Sequence, residues 1–468
     1  MKNRAIVSLA DSKYFELLNE LIDSILSFKD SESISICILD AGLQSDQIKI
    51  LERKVHKIVK AKWDIEVPQY KIKGREWLKS QVSRAFLPEY FPGFKKYLWI
   101  DADAWVNDWS AIELYFKGSD NQTLSISSSA DRAYGRVLRA DWIFRNIAFI
   151  RSQNYKHAKS SGFSNQISRE VALKPHLNIG VFCLEDDAPH WLVWQKNLRQ
   201  ALKKGRIFGS EQVAMNISVY CDNMKVEILP AYCNWYALDK LKYDQINKTF
   251  VENYLPNNKI GIIHLAGKHN DKYRLSNDSL LEVCTLDNKT LSISTSADRA
   301  YGRVLRADWI FSNIAFIRSQ NYKHSKNSGF SNKISREVAL KPHLNIGVFC
   351  LENDAPHWSV WQTNLRQALK KGRIFGSEQV AMNISVYIDN MKVEILPAYC
   401  NWYALDKLKY DEVNESFVEN YLPNHKIGII HLAGKHNDKY RLSSDSFINV
   451  LTLDNKIIKK NIRFTKKF

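Results

Sequence analysis

Apolar residues recur with two different periods along the first hundred positions, and the alternation between them predicts an α/β fold. Residues 5–10, Ala-Ile-Val-Ser-Leu-Ala, form an apolar run of strand length that stops at Asp11. Phe15, Leu18, Leu21, Ile22, Ile25 and Leu26 then fall at three- and four-residue intervals, which lays one apolar stripe along a helix over 14–28. Residues 34–39, Ile-Ser-Ile-Cys-Ile-Leu, read as a second strand, 45–60 as a charged amphipathic helix, and Lys96-Tyr97-Leu98-Trp99-Ile100 as a later strand. Strands alternating with helices imply a parallel sheet whose ligands lie beyond the carboxyl ends of its strands. Asp11 and Asp101 both fall at such ends.

From residue 123 onward the pattern is written twice. Thr123-Leu124-Ser125-Ile126-Ser127 returns as Thr290-Leu291-Ser292-Ile293-Ser294, and Leu286-Asp287-Asn288-Lys289 returns as Leu453-Asp454-Asn455-Lys456. The copies agree at roughly nine positions in ten, far closer than solenoid stacking needs, and each is too long for one supersecondary unit. The expected organisation is a complete unit, 1–289, then a partial repeat of 123–289 over 290–456 and a basic tail over 457–468. Residues 1–122 have no second version. Copy two therefore lacks the first strands of the sheet, and is expected to pack on copy one, pair with another chain or stay poorly ordered. Residues 1–122 can in principle complete their sheet with either copy. Closing a loop of about 170 residues rather than about 5 costs roughly 3 kcal/mol, which favours the adjacent copy.

Composition adds little to the fold and something to the partners. A net charge of +17 and a pI near 9.3 suggest an anionic partner: nucleic acid, an acidic membrane surface or a phosphorylated substrate. No recognised binding motif supports the first, so no nucleic acid is expected. The end of the chain, from Lys456 to Phe468, mixes basic and apolar residues as membrane-surface segments do; a solvated, frayed terminus is the competing reading. Peripheral contact with an anionic membrane is thus one expectation. The seven cysteines have no metal-binding spacing, which points to a reduced, cytoplasmic protein. No apolar run approaches the ~18–20 residues of a transmembrane helix, and Asp11 interrupts the apolar start too early for a signal peptide.

The candidate chemistry centres on Asp101-Ala102-Asp103. In an extended segment residues i and i+2 point the same way, so both carboxylates can face one hard cation while Ala102 points away. Mg²⁺ or Mn²⁺ held by one or two carboxylates completes its shell with water and substrate phosphates, which makes a diphosphate ligand natural. A surface turn whose aspartates cap a helix uses the same residues; the preceding Tyr-Leu-Trp-Ile run, at an expected sheet edge, favours the metal.

Six motifs in order resemble the retaining glycosyltransferases of family 8, which include glycogenin-like and lipopolysaccharide galactosyl- and glucosyltransferases. Ala10-Asp11-Ser12-Lys13-Tyr14 resembles the family's loop after the first strand, and Ser83-Arg84-Ala85-Phe86-Leu87-Pro88 its arginine helix. Tyr97 to Asp103 resembles its Asp-x-Asp segment, and Leu177-Asn178-Ile179-Gly180-Val181 its Asn-x-Gly strand. Ser210-Glu211-Gln212 is similar to its Asp-Gln motif, and His264-Leu265-Ala266-Gly267-Lys268 to its His-x-x-Gly turn. The resemblance covers about 1–275. It implies a GT-A type nucleotide-diphospho-sugar transferase fold, a Rossmann-like mixed sheet flanked by helices, with a nucleotide-binding half (1–122) and an acceptor and sugar half (123–289). It further implies a UDP-glucose or UDP-galactose donor and a saccharide acceptor, such as a surface glycan or lipid-linked oligosaccharide. Asp101, Asp103 and His264 would ligate the metal; the imidazole favours Mn²⁺, with Mg²⁺ as the alternative. Asp11, Tyr14, Arg84, Asp101, Ala102, Asp103, Gly267 and Lys268 would contact the donor. Asn178 and Gln212 would hold sugar hydroxyls, with Glu211 near the anomeric carbon.

Two departures from the family pattern matter. Glu211 stands where the family has aspartate, which adds a methylene, and after Gly267 the usual x-x-Lys-Pro-Trp is replaced by Lys268-His269-Asn270-Asp271-Lys272. Either Lys268 or Lys272 can reach a phosphate. Tyr232, Trp235 and Tyr236 either line an acceptor groove or pack in the core. Arg132, Arg136 and Arg139, with Asp131 and Asp141, read as a solvated helix face. Copy two repeats Asn345, Gly347, Glu378, Gln379 and His431 but has no Asp-x-Asp, so one active site is expected. A noncatalytic glycan- or nucleotide-binding protein with a duplicated recognition surface is the competing class; it predicts binding that survives loss of both aspartates. Pocket-shaping loops carry no local signature, so the hexose, acceptor, linkage and oligomeric state stay open.

Overall fold

The computed structural model describes residues 2–129, 138–236, 241–244, 246–265, 291–295, 305–372, 374–403, 407–432 and 447–463. Asp131, Arg132, Arg136, Gly267, Lys268 and Lys272 lie outside the described residues. Among the described residues no helix is long and apolar enough to cross a membrane.

A seven-stranded mixed sheet organises the first part of the chain. Its strands are β1 (Arg4–Ala10), β2 (Ser35–Asp40), β3 (Lys57–Lys60), β4 (Lys96–Ile100), β6 (Leu124–Ser128), β9 (Leu177–Glu185) and β10 (Val226–Leu229), in the order β10-β6-β9-β4-β1-β2-β3. The parallel pairing expected from helix–strand alternation joins β4, β1, β2 and β3, and separately β6 and β10. β9 runs antiparallel to both β4 and β6, which makes the sheet mixed. Alternate residues feed opposite faces, as strand geometry requires. Ile6, Leu98 and Val181 join one apolar cluster, while Val7, Trp99 and Phe182 join the other.

The helix Phe15–Leu26 covers the first of these faces with Phe15, Leu18, Leu21, Ile22 and Ile25, each buried side chain contributing roughly 1.5–3 kcal/mol. Leu26, expected on the same stripe, is exposed. Residues 45–60 are not one helix: Ser45–Leu51 is helical, and the chain then turns so that β3 pairs with β2. Ile58 and Val59 are β-branched and suit a strand, and pairing along β2 overrides the helical charge pattern. The Asp-x-Asp strand β4 is also not an edge; it is the middle strand of seven.

Smaller sheets complete the fold. β5 (Ala104–Val106), β11 (Trp235–Tyr236) and β14 (Ile262–His264) form one in the order β11-β14-β5, and β12 (Leu241–Asp244) pairs with β13 (Thr249–Glu252). β7 (Leu138–Phe144) and β8 (Ile147–Ser152) form a hairpin. Arg139 and Asp141, expected on a helix, are alternate exposed residues of β7, because the antiparallel ladder with β8 claims the backbone there.

Copy two repeats these elements as β15 (Leu291–Thr295), β16 (Leu305–Trp309), β17 (Ile314–Ser319), β18 (Leu344–Cys350) and β19 (Val393–Leu396), then β20 (Trp402–Tyr403), β21 (Leu408–Asp411), β22 (Ser416–Glu419) and β23 (Ile430–His431). Its main sheet has three strands, β18-β15-β19, since β4 is already paired with β9 of copy one. Of the three expected fates, packing on copy one is the one observed: β16 and β17 extend the β7–β8 hairpin into a four-stranded sheet. The basic tail begins as a strand rather than a frayed end. β24 (Phe447–Thr452) pairs antiparallel with β25 (Ile457–Asn461), where exposed Ile457 and Lys459 alternate with partly buried Ile458 and Lys460.

Candidate active site

Strand register brings Asp101, Asp103 and His264 together. Asp101 directly follows β4, and its backbone N–H donates to the Gly180 carbonyl of β9 at 2.8 Å. The chain turns through Ala102 and Asp103 into β5, where Ala104 lies opposite His264 of β14. Leu265 N–H closes this corner on the Asp103 carbonyl at 2.8 Å. The segment is thus a turn rather than extended, yet Ala102 still points into the apolar cluster with Ile100 and Ala104. His264 Nε2 lies 3.3 Å from Asp103 Oδ1 and 3.8 Å from Asp101 Oδ2.

Among the described residues these three side chains form the one group of metal-ligating type, with donor atoms all within 4.8 Å of one another. Two carboxylates and one imidazole suit a divalent ion of the Mn²⁺ kind. Asn234 Oδ1 lies 3.1 Å from His264 Nδ1, which orients the ring with Nε2 toward the carboxylates. Gly180 makes room for it. A Cβ at that position would stand 2.3 Å from His264 Cε1 and 2.9 Å from Asp101 Oδ2.

Arg84 links this centre to a second set of groups. Its guanidinium, almost fully buried, sits 3.2 Å from Asp101 Oδ1, donates to the carbonyls of Ser80 and Ile179, and lies 4.7 Å over the Trp99 ring. Trp99 Nε1 donates to the same Asp101 oxygen at 2.7 Å, as strand alternation allows for residues i and i+2. Burial raises the Asp101 pKa above its ordinary value; Arg84 and His264 oppose that rise, and Asp103 adds to it.

Glu211 and Gln212 start the helix Ser210–Tyr220, behind Gly209 in the left-handed conformation (φ 86°). Glu211 is buried, and its pKa rises from 4.5 to about 7; Arg84 and backbone N–H groups only partly offset the loss of water. With its amide nitrogen facing Glu211, the orientation its neighbours favour, Gln81 donates to both carboxylate oxygens at 2.5 and 2.9 Å. Gln212 bonds His176 and the Leu177 carbonyl. Burial presses His176 down to about 3, so this ring is neutral. Asn178 Oδ1 accepts from Gly180 N–H at 3.0 Å, while its Nδ2 is buried with no hydrogen-bond partner among the described residues.

Asp11 stands at the end of β1, where its side chain accepts from the N–H groups of Lys13 and Tyr14 and so opens the first helix. Tyr14 is exposed. Of the aromatic trio, Trp235 is buried in the core, Tyr232 is half-buried against it, and the Tyr236 ring lies 5.8 Å from His264. Trp99, Gln81, His176 and Asn234 escape the sequence reading. Only Trp99 carried a signal, its i+2 relation to Asp101.

The model of "Glycosyl transferase family 8" matches residues 5–181. No curated protein matches the chain. Among solved structures, galactosyltransferase LgtC in complex with donor and acceptor sugar analogues is 14% identical, over 56% of this chain and 87% of that one, with a TM-score of 0.36. The bifunctional glycosyltransferase WbbM is 17% identical over 57% of this chain and 46% of its own, with a TM-score of 0.37. Mouse xyloside xylosyltransferase 1 is 10% identical over 58% and 99%, with a TM-score of 0.36.

Proposed function

Because residues 5–181 belong to glycosyl transferase family 8, we propose that this chain is a metal-dependent retaining hexosyltransferase with one active site in residues 1–289. The donor is UDP-glucose or UDP-galactose, and the acceptor a glycan or lipid-linked saccharide. The observation that carries this reading is the convergence of Asp101, Asp103 and His264 beyond β4, with Gly180 leaving space for the imidazole. These three residues hold Mn²⁺, which when bound supplies positive charge for the departing diphosphate. Arg84 and Trp99 fix Asp101 from behind. Asp11 and Tyr14 take the uracil and ribose, and Gly267 and Lys268 the diphosphate. Asn178 and Gln212 take sugar hydroxyls, the former through its buried Nδ2. Glu211 holds its proton up to about neutral pH and faces the anomeric centre.

The test is Mn²⁺-dependent hydrolysis of UDP-glucose and UDP-galactose by the full chain. It should vanish with EDTA and in Asp103→Asn. Hydrolysis indifferent to both, or no UDP-sugar binding, rejects the reading. Copy two repeats His431 against Gly347 but has no aspartate pair, and is noncatalytic. Soluble, folded protein ending at Lys289 should accordingly keep the activity, and its loss there would place part of the site in copy two.

A further inference from the structure

We infer that residues 123–289 carry a self-complementary docking face whose partner is a second copy of the same segment, and that in this chain copy two occupies the place of a second subunit. The inference is independent of the reaction assigned above. Corresponding positions of the copies lie 167 residues apart, and the principal contacts between the copies come in reciprocal pairs.

At the centre, β8 pairs antiparallel with β17, with Ala148 opposite its own counterpart Ala315, Ile147 opposite Phe316, and Phe149 opposite Ile314. Ile150 N–H donates to the Asn313 carbonyl at 2.7 Å, and Ile317 N–H to the Asn146 carbonyl at 2.7 Å. Trp142 stacks on Tyr322 at 5.6 Å, and Tyr155 on Trp309 at 5.9 Å. Arg169 Nε donates to the Ser312 carbonyl and Arg336 Nε to the Arg145 carbonyl, at 3.2 and 3.0 Å. Away from this sheet, Leu255 N–H donates to Glu394 Oε1 at 2.7 Å, and Leu422 N–H to Glu227 Oε1 at 2.8 Å.

Reciprocal pairing, i with j and j with i, is the signature of a two-fold interface between like subunits. Two unlike surfaces joined only by a shared chain have no reason to produce it. The face also has the energetics of an interface. Ala148, Ile150, Ala315 and Ile317 are fully buried in one apolar cluster, and without the other copy β8 would present a bare strand edge. Sequence drift has spared its centre: of the residues named so far, only Arg145 and Ser312 differ as counterparts, and both contribute a backbone carbonyl; away from that centre, His425, whose Nε2 lies 3.4 Å from Tyr232 Oη, replaces Asn258. Each face therefore fits itself as well as its neighbour. The seam reaches the candidate site, since His176, the partner of Gln212, lines the same cavity as His343 of copy two.

The test uses the full chain throughout. Wild-type protein should be a monomer by light scattering. Ala315→Arg places a cation in the middle of copy two's face and releases copy one's, which should then pair with copy one of another chain and double the mass. Adding Ala148→Cys to that variant should give a disulfide-linked dimer on a non-reducing gel, absent from the parent, because the two-fold sets Ala148 against Ala148 at the ~5.5 Å spacing a disulfide accepts. Ala148→Arg/Ala315→Arg should be monomeric. If Ala315→Arg precipitates, Phe316→Glu, on the half-exposed side of the same ladder, serves instead. A folded single variant that stays monomeric overturns the inference. So does a dimer that survives the double arginine variant, or crosslinking by Ala148→Cys alone in the otherwise wild-type chain.

Discussion

Replacing Glu211 by glutamine should make the protein more stable at neutral and alkaline pH, by an amount that its burial sets. In the folded chain this carboxyl holds its proton up to about pH 7, against 4.5 for the ordinary group, because burial outweighs the help of Arg84 and nearby backbone N–H groups. Below pH 4.5 the folded and unfolded chains both carry the proton, and the group costs nothing. As pH rises from 4.5 to 7 the unfolded chain ionises while the folded chain does not, so stability falls across that window and levels off above it. At 1.36 kcal/mol per pH unit the loss amounts to about 3 kcal/mol. The glutamine side chain has no proton to lose, and its amide oxygen can still accept from Gln81. Urea unfolding of both proteins in chelator between pH 4.5 and 8 isolates the effect, since every other group is shared. Tryptophan emission is a suitable reporter, because Trp194 Nε1 donates to the Glu211 carbonyl at 2.9 Å. The Glu211→Gln variant should gain on the wild type by about 3 kcal/mol over that range. A difference independent of pH would refute the argument, for it would mean that Glu211 ionises inside the fold as readily as outside it.

Other substitutions test the candidate metal centre. Asn234→Ala removes the group that orients His264, and should weaken Mn²⁺ binding ~10–100-fold in calorimetry while leaving the fold unchanged. Undiminished affinity would mean that the ring needs no such partner. Gly180→Ala should abolish Mn²⁺ binding, because its Cβ would occupy the space of His264 Cε1, at a cost of about 1–3 kcal/mol in stability. Normal binding in that variant would show that His264 is not held where strand register puts it. Trp194→Ala, which empties a fully buried indole site, should cost about 3–5 kcal/mol by urea unfolding, and a cost under about 1 kcal/mol would mean that the face is loosely packed.

Legibility of the fold followed the range of the interactions that made each element. β1, β2 and β4 are apolar runs and the helix Phe15–Leu26 an apolar stripe, so each announced itself locally. β3 did not, because what makes Lys57–Lys60 a strand is the edge of β2. β7 is a strand only against β8, and its charged residues read as a helix face in isolation. The site divided in the same way. Asp101 and Asp103 were readable as a pair, but His264 joined them only through a resemblance, since the β14–β5 register that unites them spans most of the domain. Asn234 and Gln81 are single amides in unremarkable sequence, and act through neighbours that are distant along the chain.

The two copies separate these ranges, because nearly one sequence occurs in two surroundings. Local structure follows sequence in both. Ser152 and Ser164 cap their helices by accepting from Tyr155 and Ile167 N–H, and Ser319 and Ser331 do the same to Tyr322 and Ile334. Burial does not follow it. Cys183 and Trp194 are fully buried, whereas Cys350 is exposed and Trp361 only half-buried. The cause is the unrepeated segment 1–122: β4 pairs along the edge of β9, the helix Ser110–Gly118 packs on the face that holds Cys183, residues Arg84–Phe86 pack against the helix that carries Trp194, and none of these has a second version for copy two. His431 sits on Gly347 as His264 sits on Gly180, so the imidazole cradle is also local to the repeat. The carboxylates belong to the unrepeated segment. Copy two thus repeats the packing around the candidate metal site but not its carboxylates, and what it keeps together with copy one is the face on which the two pair.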